Sequence, residues 1–165
     1  MIFNGLFLKN IYIHLKKPKR GMILSEVMVK LEELQSNFCY TIATPAKKEN
    51  IMIIKKWVSD NVALDLWFPE YEEFLKQRDG IEFDGLVIFN SDPNDATKGF
   101  ITANEIWRAD SNYSHYVYFG DTDISWFAYD LNKKKYVELD KASSDFIESF
   151  DSFNQMLENV INNLL

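Results

Sequence analysis

The stretch Tyr116-Val117-Tyr118-Phe119-Gly120-Asp121-Thr122-Asp123-Ile124-Ser125-Trp126-Phe127-Ala128-Tyr129-Asp130-Leu131 decides how the rest of the chain is read. Tyr116 to Phe119 and Ile124 to Leu131 are β-prone runs, and Gly120-Asp121-Thr122-Asp123 between them has turn chemistry, so the stretch predicts a hairpin. On the second run Ile124, Trp126 and Ala128 share one face while Phe127, Tyr129 and Leu131 share the other. Apolar groups on both faces predict an inner strand covered on each side.

Working upstream, Asn90 to Gly99 reads as a polar loop, followed by Thr102-Ala103-Asn104-Glu105, a capping box flanked by Ile101 and Ile106 in the places of a hydrophobic staple. A short helix through Trp107 should follow. Ile81 to Phe83 and Leu86 to Phe89 flank Asp84-Gly85, a strong signal for a two-residue hairpin turn. Before them Pro69 opens a helix with Glu70, Glu72 and Glu73 at its start, Lys76 and Arg78 at its end, and Gly80 closing it. Tyr71, Phe74 and Leu75 form its buried face. An earlier helix follows Thr44-Pro45, with Ile51, Ile54 and Val58 on one stripe. The first carries Leu24, Val27, Met28, Leu31 and Leu34 at helical spacing.

Downstream, Tyr136 to Leu139 predicts a further strand. Phe153, Leu157, Val160, Ile161 and Leu164 mark a last helix, capped by Ser152 with Gln155 three residues on. Phe146 and Phe150 read as a separate short turn. Helices at both ends with strands between give an α+β class, a single domain whose antiparallel sheet has flanking N-terminal and C-terminal helices.

The 165 residues are enough to bury roughly 70% of the surface that the unfolded chain exposes. The one cysteine, Cys39, excludes an internal disulfide and reads as a small buried hydrophobe between Phe38 and Tyr40. No apolar run reaches the roughly 20 residues of a membrane span, and a reducing cytoplasm is the expected location. Residues 1–21 hold five of the 18 Lys and Arg and none of the 25 Asp and Glu, leaving 13 − 25 = −12 on residues 22–165. The leader reads as a peripheral or weakly ordered segment, an alternation over 11–15 allows a short edge strand, and the domain proper starts at Met22. Within residues 60–123 the balance is 4 − 14 = −10. Such a field repels nucleic-acid phosphates and favours a basic partner.

Catalytic chemistry finds little footing. Nucleophilic catalysis needs a base beside its nucleophile. The two histidines are His14, in the leader, and His115, which reads as a structural or exposed residue at a strand start. The Asp92-Pro93-Asn94-Asp95 loop has oxygen ligands, but Thr97 and Ala103 replace the glycine and glutamate that an EF-hand loop needs. Asp121 and Asp123 read as a solvated turn rather than a metal site. The scattered glycines form no phosphate loop. Neither cofactor nor metal is expected. What remains is a surface with aromatic anchors and a concentrated negative field, suited to binding protein.

Gly120 to Leu131, then Tyr136-Val137-Glu138-Leu139-Asp140-Lys141, then Phe150-Asp151-Ser152-Phe153 with Met156-Leu157 resembles the SUKH (Smi/Knr-like) superfamily, and most closely its bacterial YrhA-like branch. Phe68-Pro69-Glu70-Tyr71-Glu72-Glu73-Phe74-Leu75 followed by Asp79-Gly80 is similar to that superfamily's helix leading to a glycine. The likeness spans residues 44–164. It implies an α+β domain with a curved antiparallel sheet, and in bacteria an immunity protein that occludes a cognate toxin, often a nuclease. Residues 1–21 have no counterpart in it, and the acidic glycine-rich turn found elsewhere in the superfamily is here Gly120-Asp121-Thr122-Asp123. Asp92, Asp95, Asp121 and Asp123, with Tyr116, Tyr118 and Trp126 nearby, are the expected contacts to a partner with a basic surface. A regulatory scaffold for one of the cell's own proteins is the alternative. A small hydrolase, the third reading, predicts a deep pocket with clustered carboxylates.

Overall fold

The computed structural model describes residues 24–165, so the expectations for 1–21, the edge strand over 11–15 and His14 lie outside the described residues. The helices are α1 (Leu24–Asn37), α2 (Lys48–Asn61), α3 (Pro69–Gln77), α4 (Phe100–Trp107) and α5 (Phe153–Leu164). The strands are β1 (Ile81–Phe83), β2 (Leu86–Ile88), β3 (Tyr116–Asp121), β4 (Ser125–Asp130), β5 (Lys135–Asp140) and β6 (Phe146–Phe150). They form one sheet in the order β1-β2-β3-β4-β5-β6, each neighbour antiparallel, so the α+β class read from the sequence holds. Among the described residues no helix is long and apolar enough to cross a membrane.

The core lies between the sheet and helices α3 and α5. Phe119 of β3 is fully buried, with its ring 4.9 Å from Phe68, 4.9 Å from Tyr71 and 5.5 Å from Phe153. Such edge-on contacts add about 0.5–1.5 kcal/mol each beyond area burial. The buried Tyr71 hydroxyl donates to the Phe89 carbonyl at 2.7 Å, tying α3 to the end of β2. Gly80 turns the chain from α3 into β1 at φ +93°, where a Cβ would stand 2.8 Å from the Ile88 carbonyl oxygen. On the opposite face of the sheet the Trp126 ring packs 4.3 Å from Trp107 of α4 and 5.5 Å from Tyr118. Strand β4 is buried on both faces, as its apolar pattern predicted.

Several local expectations are corrected. Helix α2 starts at Lys48, not Pro45, because the Thr44 carbonyl accepts from the Asp79 amide (2.8 Å) and the Ala46 amide donates to Leu75 (2.9 Å). Those bonds hold residues 44–46 against α3 and outside a helix. Helix α4 starts at Phe100 with Gly99 as its cap, so Thr102 to Glu105 lies inside the helix rather than at its start. The fully buried Phe100 ring and its amide bond to Asn90 (2.9 Å) set that start. Phe146 to Phe150 is a sixth strand, not a turn; only Phe150 of it is buried, which removed the alternation that marks a strand. Cys39 is exposed rather than buried, in a left-handed turn (φ 61°) just past the end of α1.

Candidate functional site

Two acidic turns come together at one end of the sheet. Asp84 and Gly85 adopt φ of 47° and 83°, the left-handed pair that joins β1 to β2 with the twist of a tight hairpin. Strand β3 does not end at Phe119. It continues through a bulge to Asp121, because Gly120 pairs with Ile88 so closely that a Cβ would lie 2.4 Å from the Val87 carbonyl oxygen. The turn therefore shifts downstream to 122–125. The Thr122 amide donates to Ser125 (2.9 Å), and the Thr122 hydroxyl accepts from the Ile124 (3.3 Å) and Ser125 (3.0 Å) amides. Ile124, expected to share a strand face with Trp126, sits instead in this turn and is 73% exposed. The Val87–Asp121 pairing brings the turns side by side, and a Cβ on Gly85 would be 3.6 Å from the Asp123 carboxylate.

Between these turns and the last turns of α5 lies a cleft of about 440 Å³. Phe127, Val160 and Leu164 line it with apolar surface; Asp84, Asp123 and Glu138 supply carboxylates; Ser125, Thr122 and Asn163 add neutral polar groups; and among the described residues no Lys or Arg lines it. Glu138 reaches the cleft because it pairs with Phe127 across β4 and β5, so both side chains share the α5 face. The Ser125 hydroxyl donates to Glu138 Oε1 at 2.6 Å and fixes that carboxylate. Asp123 is exposed and has no ion-pair partner among the described residues.

Asp121 points elsewhere. Its carboxylate takes the Lys141 ammonium at 2.6 Å, and Lys141 also donates to the Thr122 carbonyl (3.0 Å) and lies 4.4 Å above the Trp126 ring. Its charge is thus satisfied within the fold. Tyr118 (3% exposed) and Trp126 (5%) are buried and offer a partner little area; Tyr116 is half-buried. Burial raises the Tyr118 hydroxyl pKa, and burial with the neighbouring Asp130 carboxylate raises that of Tyr116, so both hydroxyls stay protonated at neutral pH. The exposed member of this aromatic set is Trp107, at 40%, beside Ile106 at 57%.

Asp92 and Asp95 lie past the far end of β2, remote from the cleft in the register that joins β2 to β3. Asp95 organises its own loop. Its carboxylate accepts from Asn90 Nδ2 (2.8 Å), the Lys98 amide (2.9 Å), and the Thr97 amide and hydroxyl (2.9 Å each). Burial opposes ionisation there, yet these four donors hold the acid well below the usual carboxylate range. Asp92 accepts from the Asn94 amide at 2.9 Å. The structure thus brings Asp121 and Asp123 together with Trp126 and leaves Asp92 and Asp95 apart. Sequence reasoning missed Asp84 and Glu138 as site residues. The Asp84-Gly85 turn was visible, but only the strand register shows which other turn it meets.

Three other hollows each contain a cation. The one between α1, α3 and α5, about 410 Å³, holds buried Arg78, which binds Gln35 Oε1 at 3.0 Å and pairs with Glu32. The hollow beside Met52 and Trp67 has Lys55 and Lys56, and that beside Asp79 and Asp95 has Lys98, paired with Glu82. Among the described residues no three His, Cys, Asp or Glu side chains are grouped closely enough to hold a metal ion. No model of a known protein family matches the chain, and a search of curated proteins finds no match.

Proposed function

We propose that this chain is a non-catalytic binding protein of the Smi/Knr-like kind that neutralises a cognate toxin in the bacterial cytoplasm by covering a basic face of it. The observation that carries the reading is the cleft at the turn end of the sheet, acid-rimmed, apolar within and, among the described residues, without a cation in its lining. Carboxylates around an apolar hollow attract a basic surface from a distance and then offer desolvated contact area. Residues 60–123 extend the same negative field beyond the cleft, with four basic against 14 acidic side chains. The motif order from Phe68 to Leu157 supports the superfamily likeness, and with it the immunity role.

The test is co-purification with the product of an adjacent toxin gene, with protection from killing as the readout. A stable complex that abolishes toxicity is the expected outcome. Replacing Asp123 by Asn and Glu138 by Gln together should slow association on the order of tenfold at low salt and flatten its salt dependence. Replacing Asp92 and Asp95 by Asn should change the on-rate less, since those carboxylates lie at the other end of β2. Equal on-rates in all variants would remove the electrostatic part of the proposal.

A further inference from the structure

We infer that the outer edge of β6 is a docking edge for an extended basic segment of a partner protein, which adds to the sheet as a further strand. This rests on the binding-protein reading above, but not on the partner being a toxin. The two edges of the sheet are finished differently. Beyond β1 the Gln35 side-chain amide donates to the Glu82 carbonyl at 3.1 Å, and the Tyr40 ring stands 5.0 Å from Phe83. Beyond β6, among the described residues, no strand pairs. The ladder fixes which groups point outward there. The Lys141 amide donates to Ile124 on the β4 side and the Asp140 amide to Asp145 on the β6 side (2.8 Å each), so successive β5 residues alternate between neighbours. Tyr136 and Glu138 therefore bond toward β6, and their partners Phe150 and Glu148 toward β5. Ser149, between those two, directs its N–H and C=O away from the sheet. Edges of this kind accept an extended peptide through main-chain hydrogen bonds.

Charge selects the occupant. Residues 145–151 carry Asp145, Glu148 and Asp151 and no Lys or Arg. Asp151 pairs with Lys135, whereas Asp145 and Glu148 enter no ion pair among the described residues. Glu148 lies directly opposite Glu138 in the β5–β6 register, and like charges so placed destabilise a sheet. A cation on the next strand out would stand in the same row and relieve that repulsion. Phe146, paired with Leu139, and its neighbour Ile147 are exposed. Lys133 lies 5.1 Å from the centre of the Phe146 ring and leaves Ile147 open. A segment that alternates basic and apolar residues would set its cations beside Glu148 and its apolar side chains on the other face of the sheet. A second copy of this chain would instead bring the same carboxylates against its own edge, which disfavours self-pairing.

The experiment adds a capped hexapeptide of alternating lysine and valine to the isotope-labelled full chain and follows amide resonances and hydrogen exchange. In the free chain the Ser149 amide should exchange freely; with peptide it should become protected, with saturable shifts along residues 146–150. The matching glutamate–valine peptide should leave these resonances unmoved, and so should the lysine–valine peptide N-methylated at its valines, which lacks donors along one edge. Ser149→Pro removes an outward N–H and no bond to β5, and should weaken the peptide about tenfold. Glu148→Gln, which leaves the backbone untouched and serves if the proline variant does not fold, should weaken it about threefold and flatten its salt dependence. A Ser149 amide already protected in the free chain, indifference to N-methylation, or the absence of saturable shifts at β6 would each overturn the inference. Self-association that Ser149→Pro abolishes would also overturn it, assigning the edge to a second copy. The toxin reading fails separately: the peptide could dock on β6 in a chain that protects against no toxin, and protection could survive in Ser149→Pro.

Discussion

At the scale of single residues, Asn104 shows how a side chain can substitute for a missing strand. Strand β2 pairs only with Gly120 and Asp121 of β3, leaving the first half of β3 without a strand partner on that side. The fully buried Asn104 amide fills the gap: its oxygen accepts from the Tyr118 amide (2.9 Å), and its nitrogen donates to the Tyr118 (2.8 Å) and Phe100 (2.9 Å) carbonyls. Asn104→Ala strands those buried groups and should cost about 2–4 kcal/mol in urea unfolding followed by tryptophan fluorescence. Asn104→Asp should not rescue it, since a carboxylate cannot donate to the carbonyls. Asp95 gives a pH signature instead. Its folded pKa is depressed, so its contribution is present above the unfolded value of about 3.9 and is lost as pH falls toward the lower folded value. Asp95→Asn should therefore flatten the loss of stability below about pH 4, and carbon-detected titration should find Asp95 ionised where free aspartate is largely protonated.

At the scale of elements, the glycines at the β1–β2–β3 junction divide by what surrounds them. A Cβ at Gly120 meets the Val87 carbonyl oxygen at 2.4 Å, and at Gly80 the Ile88 carbonyl oxygen at 2.8 Å, both backbone atoms that cannot turn away. At Gly85 the nearest atom is 3.6 Å away, so the remaining penalty is its left-handed φ of +83°. Gly85→Ala should then cost about 1–2 kcal/mol, and Gly120→Ala more than about 2 kcal/mol. Hydrogen exchange should show the second opening β2 from β3 while β4 and β5 stay protected. The same junction explains a misplaced turn. Turn composition alone favours Gly120 as the bend, whereas Gly120 is needed for close strand approach and the bend falls on Thr122 to Ser125.

At the scale of the whole molecule, charge and topology act together. Three other hollows hold Arg78, Lys98, or Lys55 and Lys56, while among the described residues no cation lines the turn-end cleft. Raising ionic strength should slow association with a basic partner, and the slope against salt should fall when Asp123 and Glu138 are neutralised. The sequence by itself determined the α+β class, the start of α3 at Pro69, the presence of both hairpins and the acidic balance. Each of these depends on residues close in the chain: Pro69 and Gly80 around a helix, Asp84-Gly85 in a turn, Ser152 as a cap. Tertiary structure decided the starts of α2 and α4, where backbone bonds to distant residues outweighed Pro45 and Thr102, and the existence of β6, whose exposure erased its alternation. It also decided the site. Asp121 and Asp123 are alike in the chain, but Lys141, 20 positions beyond Asp121, claims one and leaves the other facing the cleft. Asp84, Asp123 and Glu138 meet because strand register converts separations along the chain into contact, and register is set by packing and by the fit of Gly120 against β2.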